Sequence, residues 1–138
     1  MQRKSKNYII KKVMNIGILA VDSNYPNLAL MKISSYHKAI GDNVEWYNPL
    51  CSYDKVYIAK VFSFTPDYGY YINADQVEKG GTGYGIKKVL LPEIDRMIPD
   101  YDLYNVDKNL AYGFLTRGCP NRCKWCVVPA KEGNITPY

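Results

Sequence analysis

The sequence has no long apolar segment. None of its 138 residues belongs to a run of about 18 consecutive apolar residues, the length that a helix needs to span a membrane, so no membrane span is predicted. The first 12 residues are basic, and they lack the apolar stretch of a secretory signal peptide. We interpret residues 1–12 as a basic N-terminal extension.

Two common ligand-binding patterns are also missing. Gly80, Gly81, Gly83 and Gly85 fall within six residues, but they lack the G-x-G-x-x-G spacing of a dinucleotide loop. Because glycine has no Cβ, its backbone can come close to other groups, either to another segment in a tight turn or to a ligand. We keep both interpretations and name Gly80, Gly81 and Gly83 as candidate cofactor-binding residues. The formal net charge is +5, but aromatic and basic residues do not alternate, so no nucleic-acid partner is predicted.

Cysteine is scarce, and its placement is informative. Three of the four cysteines, Cys119, Cys123 and Cys126, form a C-x3-C-x2-C pattern that can direct three sulfurs to one centre. Three thiolates suit a soft metal or an iron–sulfur cluster. Zinc usually takes four protein ligands, whereas a [4Fe–4S] cluster on three thiolates leaves one iron open. Cys51, far away in sequence, would favour zinc if it joined the other three.

The neighbours of these cysteines favour the same chemistry. Arg117, Arg122 and Lys124 are positively charged, which favours the metal-binding thiolate form and offsets the charge of an anionic cluster. Gly118 can adopt a positive φ, and Trp125 presents a flat apolar face directly before Cys126. Because thiolate ligands require reduced cysteines, we expect a cytoplasmic location.

The pattern C-x3-C-x-Trp-C resembles the signature of the radical S-adenosylmethionine (SAM) superfamily. The resemblance implies a [4Fe–4S] cluster bound by Cys119, Cys123 and Cys126, with SAM on the open iron and Trp125 against its adenine. It also implies reductive cleavage of SAM to a 5′-deoxyadenosyl radical, an electron donor such as a flavodoxin or ferredoxin, and a small-molecule substrate. The sequence does not indicate which substrate this is, and we assign no catalytic residue.

The preceding part of the chain has the pattern of an α/β domain. Residues 13–21, 43–48, 55–64 and 75–79 are predicted strands, and residues 28–40 are a predicted helix. This order predicts a Rossmann-like parallel sheet flanked by helices over residues 13–90. In the superfamily, such a domain is similar to a cobalamin-binding domain. The motif D-x-H-x-x-G is absent around His37, the single histidine, so we expect a buried, hydrogen-bonded histidine and no cobalamin.

The last part of the sequence predicts an unfinished second domain. Residues 91–108 have the pattern of a linker, and residues 109–116 that of an apolar strand which carries the cysteine loop at its carboxyl end. Residues 109–138 would then begin a radical SAM (β/α) barrel, which needs roughly 250 residues. We therefore expect a catalytically incomplete N-terminal fragment that forms dimers through this exposed strand. The alternatives are a zinc-binding Rossmann-like interaction module without catalysis and a binding domain whose cysteines hold nothing.

Overall fold

The computed structural model describes residues 11–138, and its centre is a four-stranded parallel sheet in the order β2-β1-β3-β4. The sheet and its long helix comprise β1 (Asn15–Ala20), α1 (Leu28–Ala39), β2 (Asn43–Trp46), β3 (Tyr53–Ala59) and β4 (Ala74–Gly80). The predicted α/β class with a parallel sheet is confirmed, and its topology is compatible with a Rossmann-like fold.

The rest of the chain forms short elements. They are α2 (Pro92–Asp95), a 3-10 turn (Tyr101–Leu103), β5 (Thr116–Arg117), α3 (Val128–Lys131) and β6 (Thr136–Pro137). None of the helices in residues 11–138 is long and apolar enough to cross a membrane. Residues 1–10 of the predicted basic extension lie outside the described residues.

The core has two layers, one on each face of the sheet. Helices cover one face, where Ile16 and Ile18 of β1 pack with Leu30 of α1 and Ile94 of α2. Loop residues cover the opposite face, where Tyr47, Ile72 and Tyr84 pack against buried β3 residues. Strands β1 and β3 are apolar on both faces because both faces of this parallel sheet are covered.

Helix α1 begins and ends with specific caps. The side chain of Asn27 accepts hydrogen bonds from the backbone N–H groups of Ala29 and Leu30. These bonds satisfy two of the donors that a helix N-terminus leaves unpaired. Gly41, with φ of +88°, turns the chain after the helix toward β2.

Strand β3 ends earlier than predicted, at Ala59 instead of residue 64. The carboxylate of Asp22, which follows β1, accepts hydrogen bonds from the backbone N–H groups of Val61 and Phe62 at 2.9 and 2.8 Å. These bonds direct residues 60–64 away from the sheet ladder. They also link the ends of β1 and β3, at the edge where parallel sheets of this order commonly bind ligands.

The predicted strand over residues 109–116 is wrong. Residues 111–114 form no regular secondary structure, and β5 contains only two residues, which pair antiparallel with β6. Leu115 is 91% exposed. Among residues 11–138, no parallel strand forms hydrogen bonds with this apolar segment. The first barrel strand is therefore not formed, and the edge on which dimer formation depends is only two residues long.

The segment predicted as a linker packs closely against α1. Ile94 is 5% exposed, and the N–H of Asp100 donates to the carbonyl of Met31 at 3.1 Å. The carboxylate of Asp100 also accepts a hydrogen bond from Ser34 at 2.6 Å. Residues 91–108 thus extend the helical layer and bring the cysteine segment to the carboxyl edge of the sheet.

Candidate functional site: the cysteine loop and the carboxyl edge of the sheet

The three clustered cysteines share one cavity. Cys119, Cys123 and Cys126 line a space of about 380 Å³, together with Arg122, Pro129, Ala130, Gly133 and Asn134. Cys123 is exposed, and the other two are partly buried. The three cysteines thus line one cavity, and one cation, Arg122, lies in its wall. Their predicted role as ligands of one metal centre stays a prediction.

The backbone that presents Cys119 is held by a close approach. Gly118 has a φ of +78°, and a Cβ at this position would lie 2.2 Å from the carbonyl oxygen of Asn134. The N–H of Cys119 donates to the carbonyl of Gly133 at 3.3 Å. Only glycine combines this φ with this spacing, so the structure explains Gly118 by the contact between the cysteine loop and residues 133–134.

Glu132 anchors the same loop. Its carboxylate accepts hydrogen bonds from the backbone N–H of Gly118 and from the guanidinium of Arg117, both at 2.9 Å. The Gly118 N–H, with help from Arg117, lowers the pKa of Glu132 more than burial raises it. Glu132 is therefore ionised at neutral pH and neutralises Arg117. Sequence reasoning missed Glu132, because no motif spacing links it to the cysteines.

Arg117 is held between two aromatic rings. Its guanidinium carbon lies 4.0 Å from the centroid of Phe114 and 4.9 Å from that of Tyr138. Such cation–π contacts and the ion pair with Glu132 fix its orientation. Arg117 was predicted as a positive neighbour of the thiols, but these contacts place it beside a second, larger cavity.

The arrangement of the three cysteines limits which metal centre they could hold. Within residues 11–138, no three Cys, His, Asp or Glu side chains are arranged to hold a single metal ion as they stand. A four-iron cluster is larger than one ion, so thiolates on different irons lie farther apart. Three cysteines line this cavity, the number that a [4Fe–4S] cluster with one open iron takes, whereas a structural zinc site takes four ligands. Which of the two these cysteines hold stays a prediction.

Cys51 is distant from this cavity. It precedes β3 at the amino edge of the sheet, where it packs against the cluster of Tyr53 and Val56. The cysteine loop lies at the carboxyl edge, where Lys131 donates to Thr82 at 2.5 Å. Strand β3 separates the two edges by about 20 Å at 3.3 Å per residue. The structure thus offers no role for Cys51 as a fourth ligand.

Trp125 projects into solvent. Its side chain is 88% exposed, and it does not line the cavity beside its neighbour Cys126. Its predicted contact with the adenine of SAM stays a prediction. Lys124, also predicted as a charge near the thiols, is likewise exposed.

The glycine segment makes a tight turn against β3. Gly81 has a φ of +92°, and a Cβ there would lie 2.4 Å from the carbonyl oxygen of Lys60. A Cβ on Gly83 would lie 2.8 Å from the carbonyl oxygens of Lys60 and Phe62, whereas Gly80 faces open space. The close packing explains Gly81 and Gly83 structurally. Cofactor binding by these three glycines stays a prediction.

A second cavity, of about 540 Å³, lies beside this turn. Its walls come from the carboxyl ends of β3 and β4, the start of α1, and the C-terminal residues Phe114, Arg117 and Tyr138. We call it the edge cavity. The position agrees with the tendency of α/β proteins to bind ligands at the carboxyl edge of the sheet. Its C-terminal wall had no signal in the sequence, because it depends on how the last residues fold back.

His37 is a structural residue of the core. It is 4% exposed, and its ring nitrogens lie 2.7 Å from an oxygen of Asp42 and 2.9 Å from the hydroxyl of Tyr57. The prediction of a buried, hydrogen-bonded histidine is confirmed. Both ring nitrogens are engaged, so His37 has no free nitrogen for a metal or a cofactor.

Comparison of the chain with protein-family models, with curated proteins and with solved structures gives no match.

Proposed function

We propose that this chain carries the cluster-binding segment of a radical SAM iron–sulfur enzyme. One observation carries the proposal, namely that the three cysteines of the C-x3-C-x2-C pattern line a single cavity. In this proposal Cys119, Cys123 and Cys126 hold a [4Fe–4S] cluster. When bound, the cluster would supply the electron for the reductive cleavage of SAM.

The surrounding residues have supporting roles in this proposal. Arg122 offsets the negative charge of thiolates and cluster, and Glu132 holds the Gly118 backbone so that Cys119 faces the cavity. Trp125, which is exposed beside Cys126, provides an aromatic face for the adenine of SAM. We further propose a cytoplasmic protein that takes electrons from a flavodoxin or ferredoxin, acts on a small molecule and does not use cobalamin.

Anaerobic reconstitution with iron and sulfide tests the proposal. We expect about four irons per chain and an electron paramagnetic resonance signal of the reduced cluster that changes when SAM is added. Cys123→Ala should abolish most of the bound iron, because it removes one of three ligands.

The matched control is Cys51→Ala. It should leave the iron content unchanged, since Cys51 lies at the opposite edge of the sheet. Tight binding of one zinc ion that is lost in Cys51→Ala, without any cluster, would instead establish the zinc-binding module. Equal iron binding by wild-type and Cys123→Ala protein would contradict the cluster assignment.

A further inference from the structure

The edge cavity has an excess of positive charge. Six basic and three acidic residues line it. Each of the three carboxylates already has a cationic partner, because Glu78 pairs with Lys55, Asp95 with Lys32, and Glu132 with Arg117. The cavity therefore holds no carboxylate that is left to neutralise a further cation.

Three lysines of the cavity, Lys60, Lys88 and Lys131, have no carboxylate partner in the part of the chain that the structure describes. Among residues 11–138, neither Lys88 nor Lys131 has an Asp or Glu oxygen within 4.0 Å. Lys131 donates only to the hydroxyl of Thr82, at 2.5 Å. The other basic residues contribute less, since Lys79 pairs with Asp67 and the ammonium of Lys60 lies over the ring of Tyr84, which covers the opposite face of the sheet.

The remaining walls suit a molecule with an apolar body. Leu28, Leu30, Ile33 and Leu90 are among the lining residues, and so is Phe114, which is 44% exposed. A volume of about 540 Å³ lies within the usual range for small-molecule sites. The open backbone at Gly80 adds a wall without a side chain, which allows a ligand to approach the end of β4 closely.

We infer that the edge cavity binds a small organic anion, with a phosphate ester or carboxylate between Lys88 and Lys131 and an apolar or aromatic body against Leu28, Leu90 and Phe114. The two cations are the recognition element. This site is separate from the thiol-lined cavity and requires no metal, so its test is independent of the proposed function.

The experiment compares three ligands that share one ring system. Binding of 1-naphthyl phosphate, 1-naphthoate and neutral 1-naphthol to the isolated chain is measured by isothermal titration calorimetry at neutral pH and low salt. We expect at least one anion to bind about tenfold more tightly than 1-naphthol and to weaken with added salt, because only an anion gains from uncompensated cations. The tighter of the two anions identifies the head group.

Three variants locate the site. Lys88→Gln and Lys131→Gln should each weaken binding of the anion by roughly three- to tenfold and leave 1-naphthol unchanged. Lys87→Gln is the matched control, because it removes an adjacent exposed charge that does not line the cavity. This control should retain anion binding within about twofold, and circular dichroism verifies that all variants fold.

Three results would overturn the inference. These are no binding of either anion at millimolar concentration, equal binding of 1-naphthol, or a loss in Lys87→Gln as large as in Lys88→Gln, since the last would indicate attraction by net charge alone. Iron binding by the cysteines has no bearing on any of these results, so the failure of either proposal is recognised separately.

Discussion

The His37–Asp42 pair shows how single residues fix the amino edge of the sheet. The Asp42 carboxylate accepts hydrogen bonds from His37 at 2.7 Å and from the backbone N–H of Met14 at 3.2 Å. Lys11 lies 3.4 Å from the same carboxylate. Burial alone raises the pKa of Asp42, but the bonds from His37, Met14 and Lys11 outweigh burial and lower it. The ionised carboxylate is therefore part of the folded state.

Asp42→Asn should destabilise the chain by about 2–3 kcal/mol, because it removes a buried charge that several donors require. The lowered pKa of Asp42 contributes stability above its unfolded pKa of about 3.9, and this stability is lost as pH falls through the folded pKa. The free energy of unfolding should therefore fall less steeply below pH 4 in the variant. Urea denaturation between pH 3 and 7 measures both effects.

Asp75→Asn is the matched control for that experiment. Asp75 is exposed in β4, so its replacement should change stability by no more than about 0.5 kcal/mol. A loss in Asp42→Asn no larger than in Asp75→Asn would contradict the role given to Asp42.

At the scale of the element, the cysteine loop depends on two short strands and two glycines. Strands β5 and β6 pair over two residues each and set the chain entering the loop beside the chain leaving it. Gly118 and Gly133 both have a positive φ, of +78° and +74°. They differ in surroundings, since a Cβ on Gly118 would collide with Asn134, whereas a Cβ on Gly133 would meet nothing within 4 Å.

Gly118→Ala should therefore impair the loop more than Gly133→Ala. Both variants incur the cost of a left-handed residue, about 1–2 kcal/mol, but only Gly118→Ala must also move the backbone at Asn134. We expect iron incorporation after reconstitution to fall severalfold in Gly118→Ala and to stay close to wild type in Gly133→Ala. Iron per chain is the measurement, and equal losses in the two variants would show that the contact with Asn134 does not shape the site.

At the scale of the whole molecule, the cysteine loop lies outside the hydrophobic core. The buried residues of both core clusters fall between Ile16 and Ile94. The C-terminal part is attached by polar contacts instead. Lys32 of α1, which also donates to Asp95 of α2 at 2.9 Å, donates to the hydroxyl of the C-terminal residue Tyr138 at 2.7 Å. Lys131 donates to Thr82. Loss of the cysteines should thus leave the sheet intact.

The triple variant Cys119→Ser, Cys123→Ser, Cys126→Ser tests this separation. We expect its far-ultraviolet circular dichroism and its urea midpoint in the absence of metal to match wild type, with a difference below about 0.5 kcal/mol, while iron binding is lost. A collapse of the sheet signal in the triple variant would show that the loop contributes to the core. Ile18→Ala is the contrasting variant and should cost about 2–5 kcal/mol, since Ile18 is fully buried.

Sequence patterns alone predicted the parallel sheet, a helix over residues 28–40 and the grouping of three cysteines in one loop. Local patterns carry this information. Buried parallel strands are continuous apolar segments, and apolar residues on one face of a helix recur about every 3.6 residues. The three cysteines are also close to one another in sequence. These patterns correctly predicted the succession of β1 to β4 along the chain and the burial of His37.

Other features became visible only in the folded chain. Asp22 ends β3 by accepting hydrogen bonds from the N–H groups of Val61 and Phe62. Residues 109–115 form no strand, because none of the strands in residues 11–138 pairs with them. Glu132 reaches back to Gly118, and Phe114 and Tyr138 fold over the carboxyl edge to complete a cavity with β3 and β4. Each of these features is a contact between distant segments. Such contacts depend on which donors, acceptors and surfaces packing brings together, and no local periodicity records that.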